Sequence, residues 1–376
     1  VAVHLLLTFT NGSYGRVASF SGFKETICAP PAPHQYTANE TPPQHEFLPG
    51  RANATLLMLA RNDEVDGAAR SIQTLEDRFN HKFHYPWVFL NDVPFDQTFI
   101  DMVKNLASGP VYFGLIPHDH WYQPDWIDEQ KAEAARNELV EKGVIYGGTV
   151  SYRNMCRFNS GFFYRHPLLR QFSWYWRVEP DIKYYCDINY DPFHFMEKND
   201  KVYGFTILTY EFMETIPTLW ETTRNFMSKF PQFVNKNNLM SVVSDNGGES
   251  YNGCHFWSNF EIARLDFWRG EAYSKYFDFL ESTGGFYYER WGDAPVHSIA
   301  ASLFLRADQI HYFSDVGYEH SPNMHCPRDK ATWQSNRCSC RPDNGFDYSP
   351  MSCLPKWEDF QKHHRHSRSL GNLTLP

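Results

Sequence analysis

A strand pattern, a helix pattern and a second strand pattern follow one another early in the ordered part of the chain. ATLLMLARND (54–63) is an apolar run that ends in polar residues, and DGAARSIQTLEDRFN (66–80) has the periodicity of an amphipathic helix. YPWVFLND (85–92) is a second apolar run with a polar end. This order predicts a parallel βαβ unit and an α/β fold. Ligand chemistry is expected at the carboxyl ends of the strands, where Arg61 and Asp92 lie.

The alternation of strand and helix patterns continues along the chain. Further patterns lie at VYFGLI (111–116), a charged helix at 125–142, VYGFTIL (202–208), a helix at TIPTLWETTRNFMSKF (215–230), and mixed strand and helix material from HFWSNFEIARLDFW (255–268) to APVHSIAASLFL (294–305). The length of 376 residues predicts one large domain or two intimate ones.

Composition excludes several classes of protein. Hydrophobic residues make up 42% of the chain and aromatic residues 17%, which is enough for a large core. The 44 acidic and 35 basic residues give a formal charge of -9, so no broad nucleic-acid surface is expected. No apolar run approaches the ~18 to 20 residues of a membrane span. Because the chain begins with Val1 rather than Met, we expect a fragment or a processed chain, with any membrane anchor outside it.

The cysteines and the sequons indicate the cellular compartment in which the protein folds. Four of the eight cysteines form a C-terminal group in a Pro/Asn/Gly-rich region, at Cys326, Cys338, Cys340 and Cys353. Disulfides in an oxidising compartment and a zinc site are the two interpretations, and the single-residue spacing in CSC favours disulfides. Sequons at Asn11, Asn39, Asn53 and Asn372 fit a secretory route.

An acidic pair interrupts the aromatic segment WYWRVEPDIKYYCDINYD (174–191). Pro180 disfavours a helical conformation at Glu179, so we expect an extended chain that presents Glu179 and Asp181 near one point. Two carboxylates at a strand end suit Mg²⁺ or Mn²⁺ bound together with a diphosphate. The alternative is a solvated turn, but such a turn does not usually have apolar residues on both sides.

Other acidic and imidazole side chains are also candidates. Glu261 lies among large apolar residues, and Arg290 and Asp293 precede a helix that Pro295 could begin. Asp293 could serve only as a capping residue of that helix. We expect His297 to pack within the helix.

His320 follows the strand-like IHYF in the segment DVGYEHSPNMHC. We expect it in a loop, where a neutral imidazole is a reasonable metal ligand. The alternative is an ordinary surface histidine.

Several long segments of the sequence resemble those of a known protein family. They include HYPWVFLND, FGLIPHDHW, SYRNMCRFNSGFFYRHPLL, YWRVEPDIKYYCDI, YNGCHFWSNFEI, DFWRGEAYSKYFDFL, GGFYYERWGDAPVHSIAASLFL and GYEHSPNMHCP. From about Ala54 to Pro327, and into the Cys-rich tail, the chain closely resembles the fungal Golgi α-1,2-mannosyltransferases, the glycolipid 2-alpha-mannosyltransferase type, which build O-linked and N-linked mannose chains.

The resemblance implies a fold, a reaction and a domain plan. The fold is a GT-A type glycosyltransferase fold with a Rossmann-like mixed central sheet. The reaction is transfer of mannose from GDP-mannose to a mannosylated glycan, with Mn²⁺ and with retention of the anomeric configuration. The implied plan is a stem or irregular lead-in at 1–53, a catalytic domain at 54–327 and a Cys-rich C-terminal extension and tail at 328–376. The protein would be a Golgi-lumenal type II membrane protein whose anchor is absent from this chain.

The resemblance also assigns roles to particular residues. Glu179 and His320 match the Mn²⁺ ligands of the family. Glu261 matches its candidate nucleophile and Asp293 its candidate base for the acceptor hydroxyl.

Six further residues are expected to contact the donor or the acceptor: Arg61, Asp92, Tyr146, Tyr152, Arg177 and Asp181. Arg177 would add positive charge beside the diphosphate. The segment IYGGTVSYR, which holds both tyrosines, falls where family members vary, so the choice of acceptor stays open.

Two alternatives belong to other functional classes. One is a catalytically silent mannan-binding or cell-wall scaffold protein with the same fold, and the other is a glycoside hydrolase built on a carboxylate pair. The presence of Glu179, Glu261, Asp293 and His320 together favours the transferase over the scaffold.

Overall fold

The computed structural model has a mixed sheet of eight strands at its centre. It describes residues 33–37, 40–42 and 44–371, with side chains described as far as His363. The sequons at Asn11, Asn39 and Asn372, and residues 1–32 of the predicted stem, lie outside the described residues. The boundaries of the domain plan, at 53/54 and 327/328, are not tested by the structure and remain a prediction.

The strands are short and form three sheets. The strands are β1 (Gln35–Tyr36), β2 (Ala54–Leu59), β3 (Trp87–Asn91), β4 (Val111–Leu115), β5 (Trp174–Arg177), β6 (Ile182–Tyr184), β7 (Tyr203–Phe205), β8 (Leu208–Tyr210), β9 (Cys254–Phe256), β10 (Glu261–Arg264), β11 (Ile310–Tyr312), β12 (Tyr318–His320) and β13 (Asn323–His325). The central sheet has the order β1-β4-β3-β2-β5-β10-β7-β11. Its neighbours are parallel except for β10, which is antiparallel to both β5 and β7.

Helices connect and cover these strands. They are α1 (Val65–Leu75), α2 (His81–Phe83), α3 (Gln97–Leu106), α4 (His118–Trp121), α5 (Glu129–Glu141), α6 (Val150–Gly161), α7 (Pro167–Arg170), α8 (Pro192–Lys198), α9 (Leu219–Lys229), α10 (Met240–Val243), α11 (Leu265–Arg269), α12 (Glu271–Glu281), α13 (Gly285–Tyr288), α14 (Asp293–Phe304), α15 (Lys330–Ser335) and α16 (Leu354–Gly371). A π-helical turn at Glu76–Asn80 continues α1. No described helix is long and apolar enough to cross a membrane.

The predicted βαβ unit is confirmed. Strand β2, helix α1 and strand β3 follow the patterns in the sequence, and β2 and β3 pair in parallel. The helix expected at 125–142 begins later, at Glu129, because the Asp128 side chain caps it by accepting hydrogen bonds from the backbone N–H groups of Gln130 and Lys131.

The strand expected at 202–208 is wrong as a single element. It divides into β7 in the central sheet and β8 in a separate two-stranded sheet with β9. The second half pairs with β9 instead of continuing along β10, so the chain changes sheets between Phe205 and Leu208.

Both faces of the central sheet are buried, and side chains alternate between them. Trp174 and Trp176 of β5 belong to the core on the face covered by α1 and α3, whereas Tyr175 belongs to the core on the opposite face with residues of α6 and α14. Arg177 has the same parity as Tyr175. The alternation therefore turns Arg177 toward α14.

A small second sheet, β13-β12-β6, lies beyond the end of β5. The described chain has three disulfides: Cys186–Cys338 and Cys254–Cys353 join the C-terminal cysteine group to earlier parts of the chain, and Cys326–Cys340 lies within that group. The expectation of disulfides over a zinc site is confirmed. The first of them follows β6 by two residues and so links the second sheet to the tail.

Candidate active site

The carboxyl end of β5 brings two candidate residues side by side. Arg177 is the last residue of β5, Glu261 is the first residue of β10, and the two are paired in register. Cross-strand partners project from the same face of a sheet. A small cleft opens here, and Arg177, Glu179 and Glu261 are among its lining residues.

Glu179 meets His320 because of the register of the second sheet. After Pro180 the chain enters β6, and β12 pairs with β6 so that His320 is opposite Ile182. His320 Nε2 consequently lies 3.3 Å from Glu179 Oε2. The expectation that His320 lies in a loop is wrong, because pairing with β6 makes it the last residue of a strand.

Arg177 holds the other oxygen of Glu179. Its Nη2 and Nε donate to Oε1 at 2.5 and 3.0 Å. Burial alone raises the pKa of Glu179, but the charge of Arg177 and the contact with His320 outweigh burial and lower that pKa to about 2. Burial lowers the pKa of His320, yet its contacts with Glu179 together raise it above the ordinary value. Glu179 is therefore a carboxylate at neutral pH.

Asp293 contacts the same guanidinium from the start of α14. Arg177 Nη1 donates to Asp293 Oδ2 at 2.5 Å, and Ser258 Oγ donates to that oxygen at 2.7 Å. The N-cap position of α14 belongs to Gly292, so Asp293 is not its capping residue. Arg177, whose side chain is 10% exposed, thus bridges two carboxylates that are far apart in the sequence.

Glu261 sits in a separate network of hydrogen-bond donors and is 1% exposed. Tyr175 donates its hydroxyl to Oε1 at 2.6 Å, and Tyr203 donates to Oε2 at 3.1 Å. His297 Nδ1 lies 3.0 Å from Oε2. Burial, followed by the negative charge of Glu261, raises the pKa of both tyrosines well above its ordinary value, so both remain neutral donors.

The two acids of the Glu179-Pro180-Asp181 turn have different partners. Asp181 accepts from Arg70 of α1 at 2.5 and 3.2 Å, and its side chain is 66% exposed. Its backbone N–H donates to the carbonyl of Gly67. The structure therefore does not bring the Asp181 carboxylate to Glu179.

Arg61 and Asp92 lie at the ends of neighbouring parallel strands, as the sequence predicts. Arg61 Nη2 lies 3.5 Å from Ser151 Oγ. Tyr122 donates its hydroxyl to Asp92 Oδ2 at 3.2 Å. Neither Arg61 nor Asp92 makes a hydrogen bond or ion pair with Glu179, Glu261 or Asp293 in the described part of the chain.

Tyr146 and Tyr152 form a stacked pair, with ring centroids 4.6 Å apart. Tyr146 is exposed, and the guanidinium of Arg290 lies over the Tyr152 ring at 5.2 Å. Arg290 Nη2 is 3.6 Å from Glu211 Oε1. Burial raises the pKa of the Tyr152 hydroxyl well above its ordinary value, and the charges of Arg290, Asp293 and Glu211 also act on it.

Several residues of the site carried no functional signal in the sequence. Tyr175 and Tyr203 have the alternation of ordinary strand residues, and His297 lies in a helix in which almost every residue is buried. The spacing of Asp293 and His297 was a usable signal, because residues four apart share one face of a helix. That face points toward the network around Arg177 and Glu261.

Glu179 and His320 form a donor set that fits Mn²⁺. A carboxylate oxygen and an imidazole nitrogen are both suitable ligands for such an ion. Among the described residues no third His, Cys, Asp or Glu joins them into a metal-binding group. An ion held by this pair would take its remaining ligands from a diphosphate or from water.

Comparison with known proteins decides the family. The family model described as glycolipid 2-alpha-mannosyltransferase matches residues 23–362. The chain belongs to the glycolipid 2-alpha-mannosyltransferase family. It is 50% identical over 363 residues to alpha-1,2 mannosyltransferase KTR1 of Saccharomyces cerevisiae, which covers 96% of this chain and 92% of the relative. It is 56% identical over 309 residues to glycolipid 2-alpha-mannosyltransferase 2 of Candida albicans, which covers 82% of this chain and 67% of the relative.

Solved structures agree with this mannosyltransferase assignment. The chain resembles core-mannan synthase A (CmsA/Ktr4) from Aspergillus fumigatus in its Mn/GDP form, with a TM-score of 0.78 and 38% identity over 87% of this chain and 90% of the other. It also resembles mannosyltransferase Ktr4p of S. cerevisiae in complex with GDP, with a TM-score of 0.79 and 41% identity over 85% and 86%. The predicted GT-A type α/β fold and the predicted enzyme class, a glycosyltransferase, are confirmed.

Proposed function

We propose that this mannosyltransferase moves mannose from GDP-mannose, with Mn²⁺ and with retention, onto the 2-hydroxyl of mannose-terminated O-linked or N-linked glycans. The observation that carries the proposal is the single guanidinium of Arg177 that joins Glu179 to Asp293 at the mouth of a cleft lined by Glu261. The mannosyltransferase relatives with GDP, and in one case Mn, in their structures support the choice of donor and metal.

Glu179 and His320 would hold the Mn²⁺ ion. When bound, the ion supplies positive charge that stabilises the diphosphate as the glycosidic bond breaks. Arg177 adds a fixed positive charge beside it, and its contacts with Glu179 and Asp293 keep the guanidinium in place before the donor arrives. Both positive charges would stabilise the negative charge that develops on the departing GDP.

Asp293 is proposed to take the proton of the attacking acceptor hydroxyl. Its Oδ2 is occupied by Arg177 and Ser258, whereas Oδ1 has no hydrogen-bond partner among the described residues. Retention requires a carboxylate nucleophile on the far face of the sugar, or a same-face attack assisted by the departing phosphate. Glu261 is among the residues that line the cleft. In either mechanism it would provide negative charge beside the anomeric carbon.

The proposed location is the Golgi lumen, as a type II membrane protein. The three disulfides support an oxidising compartment for the protein. The sequon at Asn53 is compatible with passage through the secretory pathway.

The test is a transfer assay with GDP-mannose as donor and α-methyl-mannoside as acceptor. We expect an α-1,2-linked disaccharide, identified by NMR, that forms with Mn²⁺ and not after chelation. GDP-glucose serves as the matched control donor, and we expect little product from it. GDP should raise the melting temperature, because a ligand that binds the folded state stabilises it.

Three outcomes would contradict the proposal in different ways. Binding of GDP without transfer to α-methyl-mannoside or to a panel of oligomannosides would contradict the proposed acceptor and favour a silent scaffold. Hydrolysis of a mannoside without any response to GDP would indicate a glycoside hydrolase. Full transfer after chelation would exclude the Mn²⁺ requirement.

A further inference from the structure

The ring of His297 has an oxygen acceptor at each nitrogen. Nδ1 lies 3.0 Å from Glu261 Oε2, and Nε2 lies 2.9 Å from the backbone carbonyl oxygen of Asn159. A carbonyl oxygen cannot donate a hydrogen bond, so Nε2 must carry a proton. If Glu261 is a carboxylate, Nδ1 must carry a second proton, and His297 is then an imidazolium ion.

The remaining contacts of Glu261 are those of a carboxylate. The hydroxyls of Tyr175 and Tyr203 donate to its two oxygens, and donors around a carboxyl group favour the charged form. Arg177, the cross-strand neighbour of Glu261, forms its hydrogen bonds with Glu179 and Asp293 instead. A buried carboxylate without a cationic partner is costly. Among the described residues that contact Glu261 by hydrogen bonds, His297 is the one that can carry a positive charge.

The surroundings of the ring suit an imidazolium ion in one orientation. His297 is fully buried and stacks on Trp268, with ring centroids 4.2 Å apart and an interplanar angle of 30°. The face of an indole ring attracts a cation. The stack also fixes the ring plane, so that Nδ1 stays directed at Glu261.

We infer that His297 is a positioning residue for mannosyl transfer: as an imidazolium ion it keeps Glu261 ionised and oriented toward the cleft. The inference rests on the proposed function and deepens it, because it names what maintains the negative charge beside the anomeric carbon. Positive charge develops on the sugar as the glycosidic bond breaks. A carboxylate that is already ionised and held by three donors needs no rearrangement at that moment.

The first experiment measures protonation directly in the wild-type enzyme. Ring-¹⁵N histidine is incorporated, and the His297 signals are assigned by their absence in His297→Gln. We expect both His297 nitrogens to have the chemical shifts of protonated nitrogens at pH 7.5, with and without GDP. An unprotonated Nδ1 would overturn the inference, and this result does not depend on which sugar is transferred.

His325 is a matched control within the same chain. Its Nδ1 lies 2.8 Å from Asp347 Oδ2 and its Nε2 lies 3.1 Å from the Ser314 carbonyl oxygen, so it is also a buried histidine between two acceptors. It makes no hydrogen bond to the cleft residues among the described side chains. We expect His325→Gln to affect stability and, with saturating Mn²⁺, to leave kcat of the folded fraction unchanged.

The second experiment separates positioning from folding. His297→Phe keeps an aromatic ring against Trp268 and removes both donors. We expect kcat to fall about 10²-fold, while KM for GDP-mannose and the affinity for GDP stay within about threefold of wild type. Tyr203→Phe, which removes one donor from the same oxygen of Glu261, should give a smaller loss of kcat of the same kind.

Two results would contradict this role of His297. If folded His297→Phe retains kcat within about threefold of wild type, the histidine does not support the reaction. If KM for GDP-mannose rises and the affinity for GDP falls by factors as large as the loss of kcat, the residue maintains the structure of the donor site instead. Wild-type enzyme that transfers no mannose would contradict the proposed function and would leave the protonation result to decide the state of the pair.

Discussion

The two acids of the Glu179-Pro180-Asp181 turn lie two positions apart in the sequence, but their side chains differ in exposure and in partners. Glu179 is 25% exposed and lies between Arg177 and His320, whereas Asp181 is 66% exposed and pairs with Arg70. The first is tied to the cleft and the second to a helix beside the sheet. The comparison shows that proximity in the chain does not place two carboxylates in one site.

The backbone of the turn explains the divergence. Asp181 has a φ of 61°, and its N–H bonds to the carbonyl of Gly67 at 3.1 Å, so the chain turns toward α1. Next, the N–H of Ile182 donates to Ser71 Oγ. A Cβ atom at Gly67 would lie 2.7 Å from Asp181 Oδ2, so glycine allows this close approach. Docking on α1 thus directs one acid away and leaves Glu179 to the cleft.

The largest expected effect is that of Glu179→Gln. The amide keeps the shape of the side chain and loses the charge that Mn²⁺ and Arg177 require. We expect kcat for mannosyl transfer to fall about 10²- to 10³-fold, with a weaker affinity for Mn²⁺ measured by calorimetry in the presence of GDP. Glu271→Gln, at an exposed acid of α12 that pairs with Lys275, is the control for the loss of one charge. Transfer by Glu179→Gln within a few-fold of wild type would remove the distinction between the two acids.

A smaller effect is expected from the disulfide that follows β6. Replacing Cys186 and Cys338 by Ala together opens a link between residues 152 apart and should cost about 2 to 5 kcal/mol of unfolding free energy, measured in urea. Because β6 holds the strand that carries His320, the affinity for Mn²⁺ with GDP should also fall. The matched pair Cys254 and Cys353 lies elsewhere, next to β8 and β9. If both double variants lower Mn²⁺ affinity equally, the second sheet has no special part in positioning His320.

The smallest effect is expected at Asp181. Because the Arg70–Asp181 ion pair is exposed to solvent, Asp181→Asn and Arg70→Gln should each change transfer by less than about tenfold. The double variant should be no worse than either single variant, because one removed partner already breaks the pair. A double-mutant cycle in the transfer assay measures this. A loss as large as that of Glu179→Gln would place Asp181 in the donor site.

Much of the fold was predictable because its signals are local. The β2–α1–β3 unit follows from periodicity in the residues themselves, and Arg61 and Asp92 lie at strand ends as that pattern requires. The division of 202–208 between two sheets was not predictable, because each half is an acceptable strand and only the partner strands differ. The loop expected around His320 was wrong for the same reason.

The sequence predicted which residues form the candidate site better than it predicted the contacts that they make. The resemblance selected Glu179, Glu261, Asp293 and His320, and the structure places all four around β5 and the cleft beside it. His297, expected to pack, does pack, and its Nδ1 also lies 3.0 Å from Glu261 Oε2. A buried histidine looks the same in a sequence whether its nitrogens face a carbonyl or a carboxylate.

The sequence by itself determined the α/β class, the family and the acidic turn after β5, and it favoured disulfides over a zinc site for the C-terminal cysteines. The tertiary structure decided which cysteines pair, which acid of the turn enters the cleft, and that one arginine serves both Glu179 and Asp293. The physical reason is the separation along the sequence of the residues that interact. Periodicity, turns and caps depend on residues a few positions apart, whereas the Arg177–Asp293 contact joins residues 116 apart and exists only once strand register and the packing of α14 are set.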